Sequence, residues 1–590
     1  MSRDDGLPPN LHAPTFVNDL GQYFVTKIET IQRKLDIESF DSVTPLFDSV
    51  PDDSPSVSVP LFTDFENLST SDVASLIRRS ALKSCPLDPM PSRLVSNCDA
   101  LRPVIAAIIN KSLQTGHFPE GWKEALVYPL LKKPGLDAVN KNFRPVSNLA
   151  FVSKLTERAA FDGTYSHMSA NGIYPIAQSA YRANHSTETA LLKVKNDILL
   201  NMNKQHVTLL VLLDLSAAFD TVDHVILLRA LGSLGIGGTV IEWYRSYLSG
   251  RGQRISVRGC TSERFNLDCG VPQGSCLGPL LFSIYTSSLL SIVQDLLPTV
   301  HCYADDNQLY VSFSPADENG QSDAIAAMES CVRVIRNWMH ENRLLMNETK
   351  TEFLLIGTKQ QLAKVNVDHV KVGNADIVPH SPVKNLGVWL DSNLSMVEHI
   401  TKASSAAFFH LYNIRRIRKY LSRENTETLI HAFVSSRIDY CNSLLYGVPN
   451  CHLHKLQRVQ NAAARLIFEE SKYCHVTPLL KSLHWLPVNY RIIFKVLLIT
   501  FKAIHGLAPV YISELISIRD VSLSRYYLRS TNSLTLNYPA LKSRKTLGDR
   551  SFFVAAPKLW NELPSDIRDL NSINKFKTAI KTYLFRQAFL

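Results

Sequence analysis

The chain has 590 residues, of which 45% are hydrophobic and 20% charged, and its formal net charge is +10. That length exceeds what a single hydrophobic core holds, and it predicts two or three domains. The composition gives no sign of a membrane or secreted protein, because no apolar run approaches roughly 18 residues, no apolar stretch follows the N-terminus, and the ten cysteines form no disulfide framework.

The predicted elements alternate between helices and strands for most of the chain and become mostly helical after about residue 398. Helices are predicted where apolar residues recur at helical spacing or where caps precede them, and Pro-rich stretches predict linkers and breaks. In chain order the predictions are a helix over 16–31, a linker over 42–60, a helix capped near Ser69 and ending at Leu82, a break over 85–91, helices over 92–115, alternating strands and helices over 124–390, and within them a helix over 332–342.

Three aspartates follow or interrupt apolar segments. Asp214 follows Val207–Leu213, a run with the length and β-branched content of a buried strand. Asp305 and Asp306 are adjacent in Tyr303-Ala304-Asp305-Asp306. Adjacent carboxylates are costly to bury unless a cation neutralises them, and phosphoryl transfer commonly uses two oxygen-bound metals about 3.5–4 Å apart. We therefore predict that the three aspartates are catalytic metal ligands; exposed turn residues are the alternative.

These motifs belong to an ordered set. The set comprises Asn142–Leu149 with Phe143-Arg144-Pro145, Gln178–Leu191, Asp214–His224, Gly270–Leu280 with Pro272-Gln273-Gly274, Tyr303–Asp306, Asn342–Glu352 and Asn385–Asp391. It resembles the reverse transcriptases of LINE-type, non-LTR retrotransposons, most closely the jockey-like and chicken-repeat group. The resemblance extends from about residue 15 to the C-terminus.

The resemblance implies an α+β protein with the right-hand polymerase fold: fingers, a palm with an antiparallel sheet, a helical thumb, and a mostly helical C-terminal region. On this basis we divide the chain into an N-terminal extension and linker (1–68), fingers and palm (69–395), a thumb-like region (396–470) and a basic C-terminal region (471–590). Related proteins usually carry an N-terminal endonuclease, for which too few residues precede the fingers, so we expect an isolated polymerase portion.

The implied activity is that of an RNA-directed DNA polymerase, a nucleotidyltransferase. It implies an RNA template, a DNA primer or target, dNTPs and two Mg²⁺ ions, with Mn²⁺ as an alternative. No membrane partner is expected. We expect an intracellular protein of the nucleus and cytoplasm.

The resemblance implies that Lys133 and Arg144 bind the triphosphate of the incoming nucleotide. Arginine offers a planar fork to phosphate oxygens, and lysine offers a point charge. Lys132 competes with Lys133 for this role, and solvated hairpin charge is the alternative. Phe219, five residues after Asp214, matches the steric gate that excludes the ribose 2′-hydroxyl. Its alternative is a core aromatic.

Further roles follow from the same resemblance. Gln273 matches the residue near the template and the incoming base, while Gly274 and Gly278 permit close backbone approach at a helix start. The alternative for this segment is a helix N-terminus with packing duties only. Lys350 matches a lysine that assists the pyrophosphate leaving group, or is simply exposed. Gly387 lies in a predicted hairpin that resembles the primer grip.

Two further polar segments have structural interpretations, which compete with a functional one in the first segment. For Asn184–Thr187 we expect contact with the template backbone, although a helix cap by Ser186 or Thr187 explains these residues equally well. Asp220 and Asp223 are interpreted as structural or capping residues. They are not expected to take part in catalysis.

The last third of the chain is basic. Residues 401–590 contain 28 Lys and Arg against 11 Asp and Glu, a net charge of +17, whereas residues 1–400 carry −7. This asymmetry predicts a polyanionic partner, with a solvated surface as the alternative. Arg458 and Arg465 are predicted to face a nucleic-acid duplex. The Cys and His residues near 451 and 474 lack zinc-site spacing, so no structural zinc is expected.

Two other functional classes compete with an active polymerase. One is a catalytically inactive nucleic-acid-binding remnant or domesticated element protein. The intact Asp214, Asp305 and Asp306 argue against it. The other is a group II intron maturase or telomerase subunit, which shares the palm motifs. The C-terminal segments Asp439–Ser443 and Leu483–Val488 favour the retrotransposon group instead.

Overall fold

The computed structural model describes residues 14–38, 59–133, 135–296, 299–519, 534–539 and 545–590. All but the last two residues of the predicted linker over 42–60 lie outside these ranges. The chain separates into two compact units. The first consists of Met1–Pro175, Leu215–Val293 and Arg333–Asn347, and the second of Ile176–Asp214, Gln294–Val332 and Glu348–Leu590.

The helices alternate with short strands in the first two thirds of the chain. The helices are α1 (Pro14–Glu38), α2 (Thr70–Arg79), α3 (Ser92–Asn97), α4 (Leu101–Gln114), α5 (Phe151–Ala170), α6 (Thr187–Asn203), α7 (His224–Ser233), α8 (Gly238–Leu248), α9 (Gly278–Tyr285), α10 (Ser287–Leu296), α11 (Gly320–Glu341), α12 (Lys359–Leu362), α13 (Val397–Ile417), α14 (Arg423–Ile430), α15 (Ser436–Ile438), α16 (Asn450–Phe468), α17 (Val476–Ser482), α18 (Val488–Ile504), α19 (Val510–Ser513), α20 (Lys545–Gly548), α21 (Phe552–Asn561), α22 (Ser565–Arg568) and α23 (Ile573–Phe589).

The strands with four or more residues all belong to the two larger sheets. They are β1 (Glu124–Leu131), β2 (Phe143–Asn148), β3 (Val207–Leu213), β4 (Leu215–Ser216), β5 (Arg251–Val257), β6 (Cys260–Thr261), β7 (Phe265–Leu267), β8 (Val300–Tyr303), β9 (Asp306–Phe313), β10 (Leu345–Met346), β11 (Glu352–Ile356), β12 (Val370–Val372), β13 (Ala375–Ile377), β14 (Val383–Asn385) and β15 (Val388–Leu390).

The first unit contains a mixed sheet. Strand β1 pairs antiparallel with β2 and parallel with β5, and β5 pairs antiparallel with β6 and β7. Helix α1 packs on this sheet through Val17, Leu20 and Phe24, which join one apolar cluster with Val127 and Ile255. The helix predicted over 16–31 is confirmed within α1.

Most of the predicted helices form, with different ends. Ser69 caps α2, since its hydroxyl accepts from the Asp72 amide, but the helix ends at Arg79 and not at Leu82. The Ser80 hydroxyl bonds the Leu76 carbonyl at 2.8 Å, a side-chain bond that competes with continued helix. The helices predicted over 92–115 form as α3 and α4, interrupted at an extended Cys98. The helix predicted over 332–342 is the last part of α11.

The second unit contains an antiparallel sheet in the order β11-β3-β9-β8. Nearly every residue of β3 is buried, which confirms the predicted strand Val207–Leu213. Its length and its run of Val, Leu and Thr residues suit a strand covered on both faces. This sheet agrees with the antiparallel palm sheet predicted from the resemblance.

One hydrophobic core in the second unit joins α6 and the sheet to helices drawn from α13 to the C-terminus. Its largest rings stack: Phe576 of α23 lies 4.2 Å from Phe501 of α18 and 5.7 Å from Trp560 of α21, centroid to centroid. The mostly helical C-terminal region is therefore confirmed. Its helices pack as part of the same core as the strands. Among the described residues, no helix is long and apolar enough to cross a membrane.

Candidate active site

The candidate site is built on the ends of two adjacent strands of the second unit. Leu213, the last residue of β3, pairs with Asn307 of β9 in antiparallel register. Asp214 follows Leu213 and Asp306 precedes Asn307 in the chain, so both carboxylates lie at the same end of these two paired strands. Asp305 occupies the turn between β8 and β9, after Ala304, which has φ of 59°.

A buried glutamine fastens this turn. Gln178, only 1% exposed, accepts hydrogen bonds through Oε1 from the amides of Ala304 at 2.9 Å and Ala180 at 3.0 Å. Its Nε2 donates to the Ala304 carbonyl at 3.4 Å. These bonds hold the backbone that carries Asp305. This role was not predictable from the sequence, because Gln178 and Ala304 are 126 residues apart.

The carboxylates influence one another. Desolvation raises the pKa of Asp306 to about 6, and the negative charges of Asp305 and Asp214 add to the shift. Because the side chain of Asp306 still reaches solvent, screening reduces the energetic weight of this shift. Lys350 places its Nζ 2.9 Å from Asp214 Oδ2. A cation therefore already neutralises part of this acidic cluster.

Asp214 and Asp306 line an open pocket of about 540 Å³. Lys350, Lys384 and the tight β14–β15 hairpin with Gly387 line it too. The hairpin predicted around Gly387 is confirmed; its role as a primer grip stays a prediction.

Two side chains hold this hairpin. Asn385 donates to Gln308 of β9 at 2.8 Å in a buried bond, and the Tyr440 hydroxyl donates to the Leu386 carbonyl at 2.6 Å. Gly387 has φ of 85°, and a Cβ there would lie 3.1 Å from the Tyr440 ring. The segment Asp439–Ser443, known from the sequence only as part of the resemblance, thus supports one wall of the pocket.

The donor set suits a hard cation, although its side chains are not gathered around one point. Carboxylate oxygens are the ligands that Mg²⁺ and Mn²⁺ prefer. Negative charges surround Asp306, and the Lys350 ammonium pairs with Asp214. Positive charge therefore stabilises this group of carboxylates. In the described ranges, no three His, Cys, Asp or Glu side chains converge closely enough to hold a metal ion as they stand.

Four predicted residues lie in the first unit, and Gln273 is the most constrained. Its Nε2 donates to Asp220 Oδ1 at 2.7 Å, and burial raises the pKa of Asp220. Gly274, with φ of 137°, brings its backbone against Ser147, whose carbonyl oxygen a Cβ would strike. The close approach expected at Gly274 therefore occurs within the protein itself.

Phe219 is partly buried and stacks on Phe282, with ring centroids 4.7 Å apart. Its packing is compatible with either interpretation of this residue. Arg144 is exposed on β2 opposite Leu130. Lys132 and Lys133 are both exposed, and Lys132 donates to the Lys141 carbonyl at 2.6 Å. The role of either lysine as a phosphate contact stays a prediction.

Several polar residues have structural duties. Ser186 caps α6 by accepting from the Thr189 amide, and Asp223 caps α7 by accepting from the amides of Val225 and Ile226. The capping interpretations of both residues are confirmed.

The two arginines predicted to face a duplex differ in their contacts and in their exposure. Arg465 donates twice to the Cys474 carbonyl, at 3.0 and 2.8 Å. Its head group is therefore partly held by the protein, and its contact with a duplex stays a prediction. Arg458, seven residues earlier on the same helix, is exposed.

Residues 131–390 match the family described as reverse transcriptase (RNA-dependent DNA polymerase). The match contains all three aspartates, Lys350 and the four predicted residues of the first unit. Over these residues the chain is similar to a reverse transcriptase domain, and the predicted polymerase fold class is confirmed. Reverse transcriptases work with divalent metal ions.

The chain is also similar to RNA-directed DNA polymerases of transposons and mobile elements. The chain is 28% identical over 377 residues to the probable RNA-directed DNA polymerase from transposon X-element of Drosophila melanogaster, a match that covers 62% of this chain and 39% of the relative. It is 25% identical over 411 residues to the RNA-directed DNA polymerase from mobile element jockey of the same organism, covering 67% and 43%. The predicted resemblance to non-LTR retrotransposon enzymes is confirmed.

The chain spans about two fifths of the length of these two relatives. Among solved structures, apo telomerase from Candida Tropicalis is 12% identical with a TM-score of 0.33, and the match covers 61% of this chain and 58% of that one.

Proposed function

We propose that the protein is an RNA-directed DNA polymerase of a non-LTR retrotransposon, which extends a DNA primer on an RNA template. One observation supports the proposal: Asp214 and Asp306 line one open pocket, Asp305 is adjacent to Asp306 in the chain, and the charges of Asp305 and Asp214 help to raise the pKa of Asp306. Clustered carboxylates within a reverse transcriptase domain are what nucleotidyl transfer requires.

In this proposal Asp214, Asp305 and Asp306 would hold two divalent ions. These would be Mg²⁺ ions, with Mn²⁺ as the alternative. Bound ions neutralise the developing charge on the attacking and leaving oxygens. Lys350 lies within the same acidic cluster, so its ammonium can donate a proton to the departing pyrophosphate. Lys384 and the β14–β15 hairpin line the pocket from another side, where they would steady the primer end.

The nucleotide contacts proposed for the first unit follow from the matched motifs. Lys133 and Arg144, both exposed cations, would bind the triphosphate of a dNTP. Phe219 would exclude the 2′-hydroxyl by the bulk of its ring. Gln273, oriented by its bond to Asp220, would contact the template or the incoming base.

The alternative is a catalytically inactive nucleic-acid-binding remnant. It is the weaker candidate, because every predicted carboxylate is present on a well-formed strand end. We further propose that the protein acts inside the cell, in the nucleus and cytoplasm, where it meets its RNA template and DNA target.

Primer extension tests this function. The purified protein is incubated with a labelled DNA primer annealed to an RNA template, four dNTPs and Mg²⁺. We expect products that grow to the end of the template and disappear when EDTA is added. Primer binding without any extension, under Mg²⁺ or Mn²⁺, would leave the inactive remnant as the better interpretation.

A further inference from the structure

A group of exposed aromatic side chains lies on α13 and on the π-helical turn His431–Ser435 that follows α14. The rings are Phe408, Phe409 and Tyr412 of α13 and Phe433 of the π turn, with exposures of 40%, 62%, 62% and 45%. We call these four residues the aromatic surface. Exposed apolar patches of this kind in a folded protein usually mark an interaction site.

His410 connects Phe409 of α13 to Phe433 of the π turn. The His410 ring lies 5.5 Å from Phe409, edge to face, and stacks on Phe433 at 5.5 Å and 22°. The opposite face of α13 is already committed to the hydrophobic core through Ala407, Leu411 and Ile414. The rings are therefore not displaced core residues. They form an outward face in addition to the packed one.

Positive charge borders the rings. Arg415 and Arg416 are exposed one turn beyond Tyr412, and Arg437 follows the π turn close enough to His410 to influence its charge. In the described ranges, no carboxylate forms an ion pair with any of these three arginines, whereas the nearby Glu398 and Glu427 pair with Lys402 and His431. A π-helical turn is itself a feature that often occurs at functional sites.

We propose that the aromatic surface binds single-stranded nucleic acid by base stacking, with the bordering arginines on the phosphates. Unpaired bases expose π faces that stack on Phe, Tyr and His rings, and basic side chains then follow the backbone. A duplex keeps its bases stacked on one another and offers phosphate oxygens to an outer surface, so exposed rings gain little from it. The inference rests on the proposed function only in taking nucleic acid as the partner.

The test uses the full chain and two fluorescein-labelled probes, a 15-nucleotide oligo(U) strand and a blunt 15-base-pair DNA duplex, in anisotropy titrations. The variant is Phe409→Ala/Tyr412→Ala. Its matched control is Tyr473→Ala, which removes a ring that is 83% exposed beside Lys472 but lies outside the aromatic surface. Because all three side chains are exposed, each variant should melt at the wild-type temperature.

We expect the double variant to raise the Kd for the single strand by about tenfold or more, since each base–ring stack contributes substantially. The Kd for the duplex should change by less than about twofold, and Tyr473→Ala should change neither. A companion variant, Arg416→Gln/Arg437→Gln, should reduce the salt dependence of single-strand binding.

Three results would overturn the proposal. The single-strand Kd could stay at the wild-type value, both probes could weaken equally, or the wild-type protein could prove to be a dimer that the double variant converts to monomer. The last result would assign the surface to a second copy of the chain. Asp305→Asn should abolish extension without weakening oligo(U) binding, so a failure of the polymerase proposal is distinguishable from a failure of this one.

Discussion

Asp306 is the residue of the candidate site whose ionisation depends most on its neighbours. Its pKa of about 6 lies above the ordinary value of 3.8, first through desolvation and then through Asp305 and Asp214. When folding raises the pKa of an acid, protonation of that acid stabilises the folded state. That contribution is lost as the pH rises through about 6.

We therefore expect metal-free Asp306→Asn to gain stability over the wild type as the pH rises from about 4 to about 7. Urea unfolding in EDTA at several pH values measures this. Asp368→Asn, which neutralises an exposed carboxylate elsewhere in the same unit, serves as the control and should show no such trend. A stability difference that stays constant with pH would contradict the account of the acidic cluster.

A substitution of Phe219 tests how the protein selects deoxyribonucleotides. Replacing its ring with a methyl group opens space that the proposed function assigns to the sugar, so Phe219→Ala should increase the ratio of rNTP to dNTP incorporation efficiency. Phe161→Ala is the matched control, because Phe161 is another partly buried ring stacked on a neighbour, Tyr165. If both variants keep the wild-type ratio, Phe219 is a packing residue against Phe282.

At the scale of elements, the β8–β9 turn depends on Gln178. Gln178→Leu would leave the Ala304 and Ala180 amides and the Ala304 carbonyl without this partner, at about 1–3 kcal/mol for each buried group. A displaced turn moves Asp305, and a shift of about 1 Å can cost on the order of 100-fold in rate.

We expect Gln178→Leu to lower the single-turnover rate of nucleotide addition by about tenfold or more, with primer–template affinity unchanged. Gln460→Leu is the control, since Gln460 is a buried glutamine that donates to the Leu486 carbonyl away from the turn. It should lose stability but keep the rate. Equal rates in the two variants would show that Gln178 has no role in positioning the carboxylates.

The elements also show which features a sequence reveals. The strand Val207–Leu213, the cap at Ser69 and the hairpin around Gly387 were predictable, because each is determined by residues close together in the chain. The role of Gln178 was not, since its partner Ala304 becomes a neighbour only when β8 forms. The bonds from Arg465 to the Cys474 carbonyl were not predictable either, because helical spacing places a residue on a face but does not identify its partner.

At the scale of the whole molecule, the C-terminal helices share a core with the strands that carry Asp214 and Asp306. The charge asymmetry of the last third was visible in the sequence, but this shared core was not, because the contacts join residues from 191 to 584. A fragment ending near residue 400 would expose apolar surface. Nucleic-acid binding is therefore better tested with substitutions in the full chain.

Phe576→Ala tests the shared core. Phe576 is fully buried between two stacked rings, so its loss should cost about 3–5 kcal/mol. Because the same core supports β3 and β9, the midpoint for thermal loss of helicity and that for loss of extension should fall together. Tyr473→Ala, at an exposed ring outside the aromatic surface, should shift neither midpoint. A lowered helicity midpoint with unchanged thermal inactivation would contradict the shared core.

We propose that Asp214 and Asp306, at two adjacent strand ends, and Asp305, in the adjoining turn, drive nucleotide addition on RNA. The most direct test is the single-turnover rate of the first dNTP addition to an RNA-templated DNA primer, measured for the wild type, Asp305→Asn, Asp306→Asn and the control Asp368→Asn. We predict that the first two variants lose addition while they retain wild-type primer–template affinity, and that the control adds at the wild-type rate. Addition by Asp305→Asn or Asp306→Asn at the wild-type rate would contradict the account.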